Sequence, residues 1–172
     1  MLQKSILHQI LYANWNKETS YKYTSRIIKR YKKDLDIIWA ASDGMSLGAH
    51  KAIEENNKST QILTGGIDWS PKGIQAVKNG DIDATIGGHF MNGGFALVLL
   101  YDYFHGIDFY DEVGTKIQLN MSILTKNNVN KYLEKYSSQN WNKIDFRKYS
   151  KVLNKKLIKY DFSLESLYND GE

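Results

Sequence analysis

The chain has 172 residues, 42% of them hydrophobic and 24% charged, with a formal net charge of +4. This composition is typical of one globular domain, and the scattered lysines indicate solvated helix faces rather than a nucleic-acid-binding patch. The absence of cysteine excludes disulfides and thiolate metal sites, and no segment approaches the ~20 apolar residues of a membrane span.

The first third of the sequence predicts two strands, each followed by a helix. Residues 10–15 are apolar and end in polar positions, which indicates a short buried strand. Apolar side chains spaced by about four residues predict a helix over 18–33. A strand is expected over 36–41. Asp43 is then placed as the N-cap of a helix with one apolar face.

Residues 61–88 read as one strand, turn, helix and strand unit. Residues 61–64 are strand-like, and 65–69 form an acidic turn. Ser70-Pro71 opens a helix that ends at Asn79-Gly80, and 84–88 forms a second strand. Strands that alternate with helices in this way predict an α/β fold with a mainly parallel sheet. In such sheets, small ligands bind beyond the carboxyl ends of the strands.

The pattern changes after Gly88. An apolar helix is expected over 91–104, and a strand over 116–124. An amphipathic helix follows, with apolar positions from Val129 to Tyr136. Residues 141–168 are aromatic and charged, which indicates short helices that wrap around the domain.

Three motifs resemble the second lobe of type I periplasmic binding proteins of the ribose-binding type: residues 39–49, Gly65-Gly66-Ile67-Asp68, and Asp83-Ala84-Thr85-Ile86. The resemblance implies a three-layer α/β sandwich. It assigns residues 1–124 to that lobe and 125–172 to a helical carboxyl-terminal extension. Helix 91–104 would then pack on the first lobe, for which this sequence has no counterpart.

Further stretches are similar to one branch of the family, whose members are described as sugar-binding components of ABC transporters. They are residues 87–91 with 99–103, and 140–147 through 160–164. Family members are about twice as long as this chain, and they hold the ligand between two lobes. This chain is therefore expected to supply one side of that clamp.

The resemblance implies that Asp68 accepts hydrogen bonds from ligand hydroxyls; the alternative is a turn or cap acceptor. It also places an aromatic near Trp15, which would pack on a sugar ring or serve as a core or hinge residue. Asn14 beside it is a candidate contact for hydroxyl groups.

Four more residues are candidates for the same site. Ser42 falls where relatives carry an amide, and Asp43 is either a contact or simply a helix cap. Trp69 would stack on a ligand or pack on the surface. His89 would replace an amide contact that Gly88 cannot make, although a lone histidine is more often structural.

Catalytic and cofactor chemistry find little support in the sequence. There is no nucleophile with a partner histidine, and no pair of histidines at metal-ligand spacing. The glycine pairs at 87–88 and 93–94 fit neither the P-loop nor the dinucleotide fingerprint, so hinge or close-packing roles are expected. We therefore expect no enzyme activity, no cofactor and no metal.

The implied function is capture of a sugar-like solute for an ABC transporter permease. Two alternatives stay open: a ligand-sensing domain for a chemoreceptor, sensor kinase or regulator, and an inactive truncated product. The family acts in the periplasm or at the cell exterior, yet residues 1–14 do not resemble a signal peptide.

Overall fold

The computed structural model describes residues 6–57, 62–136, 144–163 and 166. The helices are α1 (Lys17–Tyr31), α2 (Asp43–Glu55), α3 (Pro71–Asn79), α4 (Asn92–Phe104), α5 (Tyr110–Val113) and α6 (Val129–Tyr136). The strands are β1 (Ile37–Trp39), β2 (Leu63–Ile67), β3 (Ala84–Gly87) and β4 (Ser122–Thr125). Short 3₁₀ turns lie at Lys32–Asp34, His89–Met91 and Phe146–Tyr149.

The four strands form one sheet in the order β1-β2-β3-β4. The first three are parallel, and β4 pairs with β3 in the antiparallel sense. Helices α2 and α3 provide the crossovers between the parallel strands. The predicted α/β fold with a mainly parallel sheet is thus confirmed.

Within the described residues, the two faces of the sheet differ in exposure. One face is buried under helices and carries Thr64, Thr85 and Leu124. The strand register places Ile37, Trp39, Leu63 and Ile123 on the opposite face, where each is between 48% and 60% exposed. This follows from the strand order, because right-handed crossovers that all step in one direction put their helices on one face.

Helix α3 begins and ends as its sequence predicts. The Ser70 side chain accepts a hydrogen bond from Gly73 N at 3.0 Å, and Pro71 is the first helical residue. Gly80 closes the helix in the left-handed region with φ of 88°. These local signals fix the length of the segment between β2 and β3.

The predicted strand over residues 10–15 is wrong. This segment has no strand structure, and Ile10 and Tyr12 are 67% and 84% exposed. Its apolar composition suggested burial, but a strand also requires a neighbour with which to pair. Asn14 and Trp15 adopt left-handed backbone conformations that end any extended run.

Two other boundaries differ from the predictions. Gly65 and Gly66 lie inside β2 rather than in a turn. Glycine is needed there because a Cβ on Gly65 would lie 2.6 Å from the Trp39 ring, and one on Gly66 would lie 3.0 Å from Asp43. The strand expected over 116–124 pairs only from Ser122 onward.

The main hydrophobic core joins elements from both sides of position 124. It contains Ile74 and Val77 of α3, Phe95 of α4, and Val129 and Tyr132 of α6. Described residues beyond position 124, such as Val129 and Tyr132, therefore pack in the same core as residues of α3 and α4. Where helices were predicted to wrap around the domain, the described residues 144–163 contain the Phe146–Tyr149 turn. Residues 141–143, 164, 165, 167 and 168 lie outside the described part of the chain.

Asp102 anchors the carboxyl-terminal segment to α4. Its carboxylate is fully buried and accepts hydrogen bonds from the hydroxyls of Ser150 and Tyr160 and from the backbone N–H groups of Lys151 and Val152. Burial alone would raise the pKa of Asp102, but these four bonds outweigh it and hold the pKa below the ordinary value.

Asp102→Asn should lower the free energy of unfolding at pH 7 by about 3 kcal/mol, because a buried hydrogen-bonded carboxylate is lost. Since the folded-state pKa is depressed, this contribution is present above the unfolded value of about 4 and is lost as pH falls through the folded pKa. Urea titrations of both proteins from neutral to acid pH test this. Asp111→Asn, at an exposed position, is the control. A difference in unfolding free energy between Asp102→Asn and the unsubstituted protein that persists at acid pH would contradict the assignment.

Candidate ligand-binding site

The loops that follow β1, β2 and β3 meet at the carboxyl edge of the parallel strands. They contain Ser42, Asp68 and His89 in turn. The loop before α1 reaches the same edge, because Ala13 shares a small apolar cluster with Ala40 and Met45. Most of the sequence-predicted site residues therefore lie at one edge of the sheet.

Asp68 follows β2 directly and faces solvent, with 45% of its side chain exposed. Its backbone N–H donates to Ile86 O at 2.8 Å, which holds the loop onto β3. Its φ is 123°, a conformation that costs free energy for a residue other than glycine. The fold thus holds an exposed carboxylate on a strained backbone at this edge.

His89 is the neighbour of Asp68 on the next loop. Its Nε2 lies 3.9 Å from Asp68 Oδ1, and its side chain is also 45% exposed. Gly88 before it adopts φ of 106°, which turns the chain sharply after β3. The structure therefore brings a carboxylate and an imidazole together in a solvent-accessible position.

Trp15 and Asn14 lie on the loop that precedes α1. Trp15 is 73% exposed, so its indole faces solvent. Asn16 caps α1 by accepting a hydrogen bond from Thr19 N at 2.8 Å. A Cβ on Gly48 of α2 would lie 2.2 Å from Lys17 O, so this close approach fixes where α1 begins.

Left-handed backbone at residues other than glycine is concentrated at this edge. Four of the six such residues in the described chain lie in two of these loops, namely Asn14, Trp15, Asp68 and Trp69. The other two, Lys32 and Asn57, follow helix ends. Backbone strain of this kind persists where surrounding contacts enforce it, and it clusters at functional sites.

Ser42, rather than Asp43, is the N-cap of α2. Its Oγ accepts a hydrogen bond from Met45 N at 3.3 Å, and the residue is 7% exposed. Asp43 is the first residue inside the helix. The prediction that Asp43 caps the helix is wrong, because the preceding serine already has the extended backbone that a cap requires.

Asp43 is fully buried and is saturated with partners from this chain. One carboxylate oxygen accepts from Ser70 N at 2.8 Å and from Ser70 Oγ at 2.9 Å, and the other accepts from Thr85 Oγ1 at 2.5 Å. A Cβ on Gly73 would lie 2.0 Å from the same carboxylate. This corrects the expectation that Asp43 could contact a ligand: it joins α2, α3 and β3.

The electrostatics of the edge follow from this burial. Burial raises the pKa of Asp43 above its ordinary value; the hydrogen bonds from Thr85 and Ser70 offset part of the rise, and the nearby charge of Asp68 adds to it. Asp43 and Ser70 also lie at the amino-terminal ends of α2 and α3, where helix dipoles favour negative charge. The Asp43 carboxylate is therefore enclosed, and the Asp68 carboxylate is accessible to solvent or a ligand.

Trp69 is a core residue and is only 2% exposed. Its ring packs edge-on against Tyr132 with centroids 5.0 Å apart, and its Nε1 donates to Thr85 O at 3.2 Å. A Cβ on Gly87 would lie 2.3 Å from the Trp69 ring. The prediction that this indole stacks on a ligand or packs on the surface is therefore wrong.

The sequence profile described as "Periplasmic binding protein domain" matches residues 3–103, which is more than half of the chain. The chain belongs to this family. Among curated proteins, the xylitol-binding protein of Mycolicibacterium smegmatis is 30% identical over 122 residues, or 71% of this chain and 34% of that protein. The ribose import binding protein of Haemophilus influenzae is 42% identical over 55 residues, or 32% of this chain and 18% of that protein.

Solved structures of periplasmic binding proteins share the fold of this chain. A periplasmic sugar-binding protein from Pseudomonas fluorescens superimposes with a TM-score of 0.81 at 33% identity, and the match covers 94% of this chain and 50% of that one. An Actinobacillus succinogenes solute-binding protein with bound D-allose gives a TM-score of 0.60 at 24% identity, covering 70% and 41%. This chain thus spans half or less of the length of these periplasmic binding proteins.

Sequence reasoning missed the partners of Asp43. Thr85 is fully buried, and Ser70 was predicted only as a cap. Their hydroxyl groups both donate hydrogen bonds to the Asp43 carboxylate. Gly66 and Gly73 are the available signal, since both lie where a side chain would meet Asp43. Glycines without a turn at these positions indicate a buried group pressed against the backbone.

Thr85→Val keeps the side-chain volume but removes the hydroxyl from a buried carboxylate, so it should lower the free energy of unfolding by about 2–3 kcal/mol. Thr64→Val is the matched control, because the Thr64 hydroxyl donates to a neutral carbonyl, Ile38 O, at 2.9 Å. We expect the control to cost about 1 kcal/mol. If urea denaturation shows that Thr85→Val and Thr64→Val lower the free energy of unfolding equally, the charge of Asp43 contributes no extra stability.

Proposed function

We propose that this chain forms one wall of a binding site for a sugar-like solute, at the carboxyl edge of its parallel strands. The observation that carries the proposal is the exposed Asp68 carboxylate, held on strained backbone 3.9 Å from His89. An ionised carboxylate accepts hydrogen bonds from hydroxyls, and an imidazole either donates or accepts one. The exposed Trp15 ring supplies a flat surface for the apolar C–H face of a sugar.

The names of the relatives support a neutral polyol. They include a xylitol-binding protein and a solute-binding protein with bound D-allose. These molecules carry several hydroxyls and no charge. Asp68, His89 and Trp15 at this edge fit such ligands, because they offer hydrogen-bond acceptors, a donor and an apolar ring.

The same relatives support a role in solute uptake rather than catalysis. We infer that the ligand is enclosed between this chain and a second lobe, as a hinge closes, and is then delivered to an ABC transporter permease. Such a protein acts in the periplasm or at the cell exterior. No helix in the described ranges combines the length and apolar character needed to cross a bilayer.

The 172-residue protein on its own should bind monosaccharides and pentitols with dissociation constants in the millimolar range or weaker, since it supplies only one wall and most of each ligand stays hydrated. Isothermal titration calorimetry with xylitol, D-ribose and D-allose tests this. Micromolar affinity for any of them would show that one wall is sufficient.

A chimera supplies the second wall: this sequence replaces the matched half of the Pseudomonas fluorescens protein. In a chimera that binds one of these sugars, Asp68→Asn should weaken binding by about 10- to 100-fold, because hydrogen bonds to a charged acceptor are lost. Asp36→Asn is the matched control, as this exposed carboxylate lies before β1, at the opposite edge of the sheet. Unchanged affinity for Asp68→Asn would remove Asp68 from the site.

A further inference from the structure

The carboxyl-terminal segment contains a loop that begins and ends on the same buried carboxylate. Asp102 accepts a hydrogen bond from Val152 N at 3.4 Å where the loop begins, and one from the Tyr160 hydroxyl at 2.8 Å where it ends. A surface loop whose two ends lie together in this way is an Ω-loop, a type of loop that frequently carries function. We call residues 153–159 the Asp102 loop.

Hydrogen bonds within the Asp102 loop fix its shape. Asn154 N donates to Ser150 O at 2.8 Å, and Asn154 O accepts from Leu157 N at 3.0 Å. The Asn154 side chain accepts a further hydrogen bond from Lys156 N at 3.2 Å. Leu157 also packs against the main hydrophobic core. The loop therefore presents a defined surface to its surroundings.

The outward-facing part of the Asp102 loop is apolar and cationic. Ile158 is 91% exposed, the highest value among the large apolar residues of the described chain, and Leu153 is 50% exposed. The loop contains no acidic residue, and its three lysines are exposed, namely Lys155, Lys156 and Lys159. An exposed aliphatic side chain among lysines is typical of segments that bind at the surface of an anionic bilayer.

Two of these lysines have no carboxylate beside them. Within the described chain, neither Lys155 nor Lys156 forms an ion pair. Glu112, in contrast, pairs with Lys151 before the loop and lines one shallow pocket together with Lys159. The uncompensated positive charge of the Asp102 loop is therefore at positions 155 and 156, close in sequence to Ile158.

We propose that the Asp102 loop docks the protein on an anionic phospholipid bilayer, with Lys155 and Lys156 against the headgroups and Ile158 inserted where the headgroups meet the acyl chains. Each lysine near such a surface gains a favourable electrostatic interaction, and burial of the aliphatic side chain adds a hydrophobic one. Docking holds the protein at the surface in which a transporter permease lies. It is independent of the sugar site.

A protein partner fits the Asp102 loop less well than a bilayer does. Lysine is depleted at the centre of protein–protein interfaces, because removing its charge from water is costly. A second copy of this chain would have to bury the lysines on both sides of Ile158. The half of the Pseudomonas fluorescens protein that has no counterpart here would have to do the same. A bilayer leaves the ammonium groups hydrated among phosphates.

Co-sedimentation of the 172-residue protein with lipid vesicles tests the proposal. The protein should bind vesicles in which about 30% of the lipid is phosphatidylglycerol, and it should not bind vesicles of phosphatidylcholine alone. Raising the salt concentration from about 50 to about 500 mM should weaken binding by about tenfold or more, because salt screens the attraction between lysines and headgroups. Equal binding to both kinds of vesicle, or binding to neither, would overturn the proposal.

Removal of two charges from the loop sharpens this test. Lys155→Gln/Lys156→Gln should weaken binding to the anionic vesicles by about 25-fold, since each lysine near the surface contributes about fivefold. Lys22→Gln/Lys29→Gln is the matched control, because it removes the same charge from exposed positions on α1, which packs on α2. Equal losses from the two double variants would show that binding follows net charge rather than the Asp102 loop.

The hydrophobic contribution is tested at Ile158. Ile158→Ser should weaken binding to the anionic vesicles by about tenfold, whereas Ile158→Leu, which keeps an aliphatic side chain, should retain most of it. Ile10→Ser is the matched control, since Ile10 is 67% exposed and lies outside the loop. If Ile158→Ser binds as tightly as the unsubstituted protein, Ile158 does not enter the bilayer.

A fluorophore at position 158 reports which partner covers the loop. The chain has no cysteine, so Ile158→Cys provides a single attachment point for an environment-sensitive dye. Its emission should shift to shorter wavelength with anionic vesicles and stay unchanged with phosphatidylcholine vesicles. A shift without vesicles that grows with protein concentration would assign the loop to a second copy. A shift without vesicles in the chimera would assign it to the other half of the fold, and either result would overturn the proposal.

Discussion

The rest of the site depends on the hydrogen bonds that the buried carboxylate of Asp43 accepts. It joins the start of α2 to the start of α3 through Ser70 and to β3 through Thr85. A buried charge is stable only when its hydrogen bonds are complete, so these elements have little freedom to shift relative to one another. Positions 66 and 73 require glycine, because a Cβ at either would collide with Asp43.

This constraint explains why one acidic residue is enclosed and another is exposed at the same edge. Ser70 binds Asp43, and the chain just before it must then pass through left-handed conformations at Asp68 and Trp69. Trp69 turns into the core against Gly87, which leaves Asp68 directed to solvent beside His89. The strain at Asp68 is thus offset by the Asp43 bonds and by burial of the Trp69 indole.

The sequence allowed prediction of features that local chemistry determines. The ends of α3 follow from Ser70, Pro71 and Gly80, and the edge position of Asp68 follows from strand order. Burial of Trp69 and Asp43 was not predictable, because it depends on partners 16 and 42 residues away in the chain. The strand expected at 10–15 failed for a related reason: apolar composition does not say whether a neighbouring strand is present.

The most direct test is an NMR titration of the 172-residue protein with xylitol and D-allose, up to the solubility of each, because this method detects weak binding. We predict concentration-dependent shifts at the Asp68 and His89 amides and at the Trp15 indole N–H, with the buried Trp69 indole changing little. Shifts confined to other surfaces would contradict the placement of the ligand at this edge.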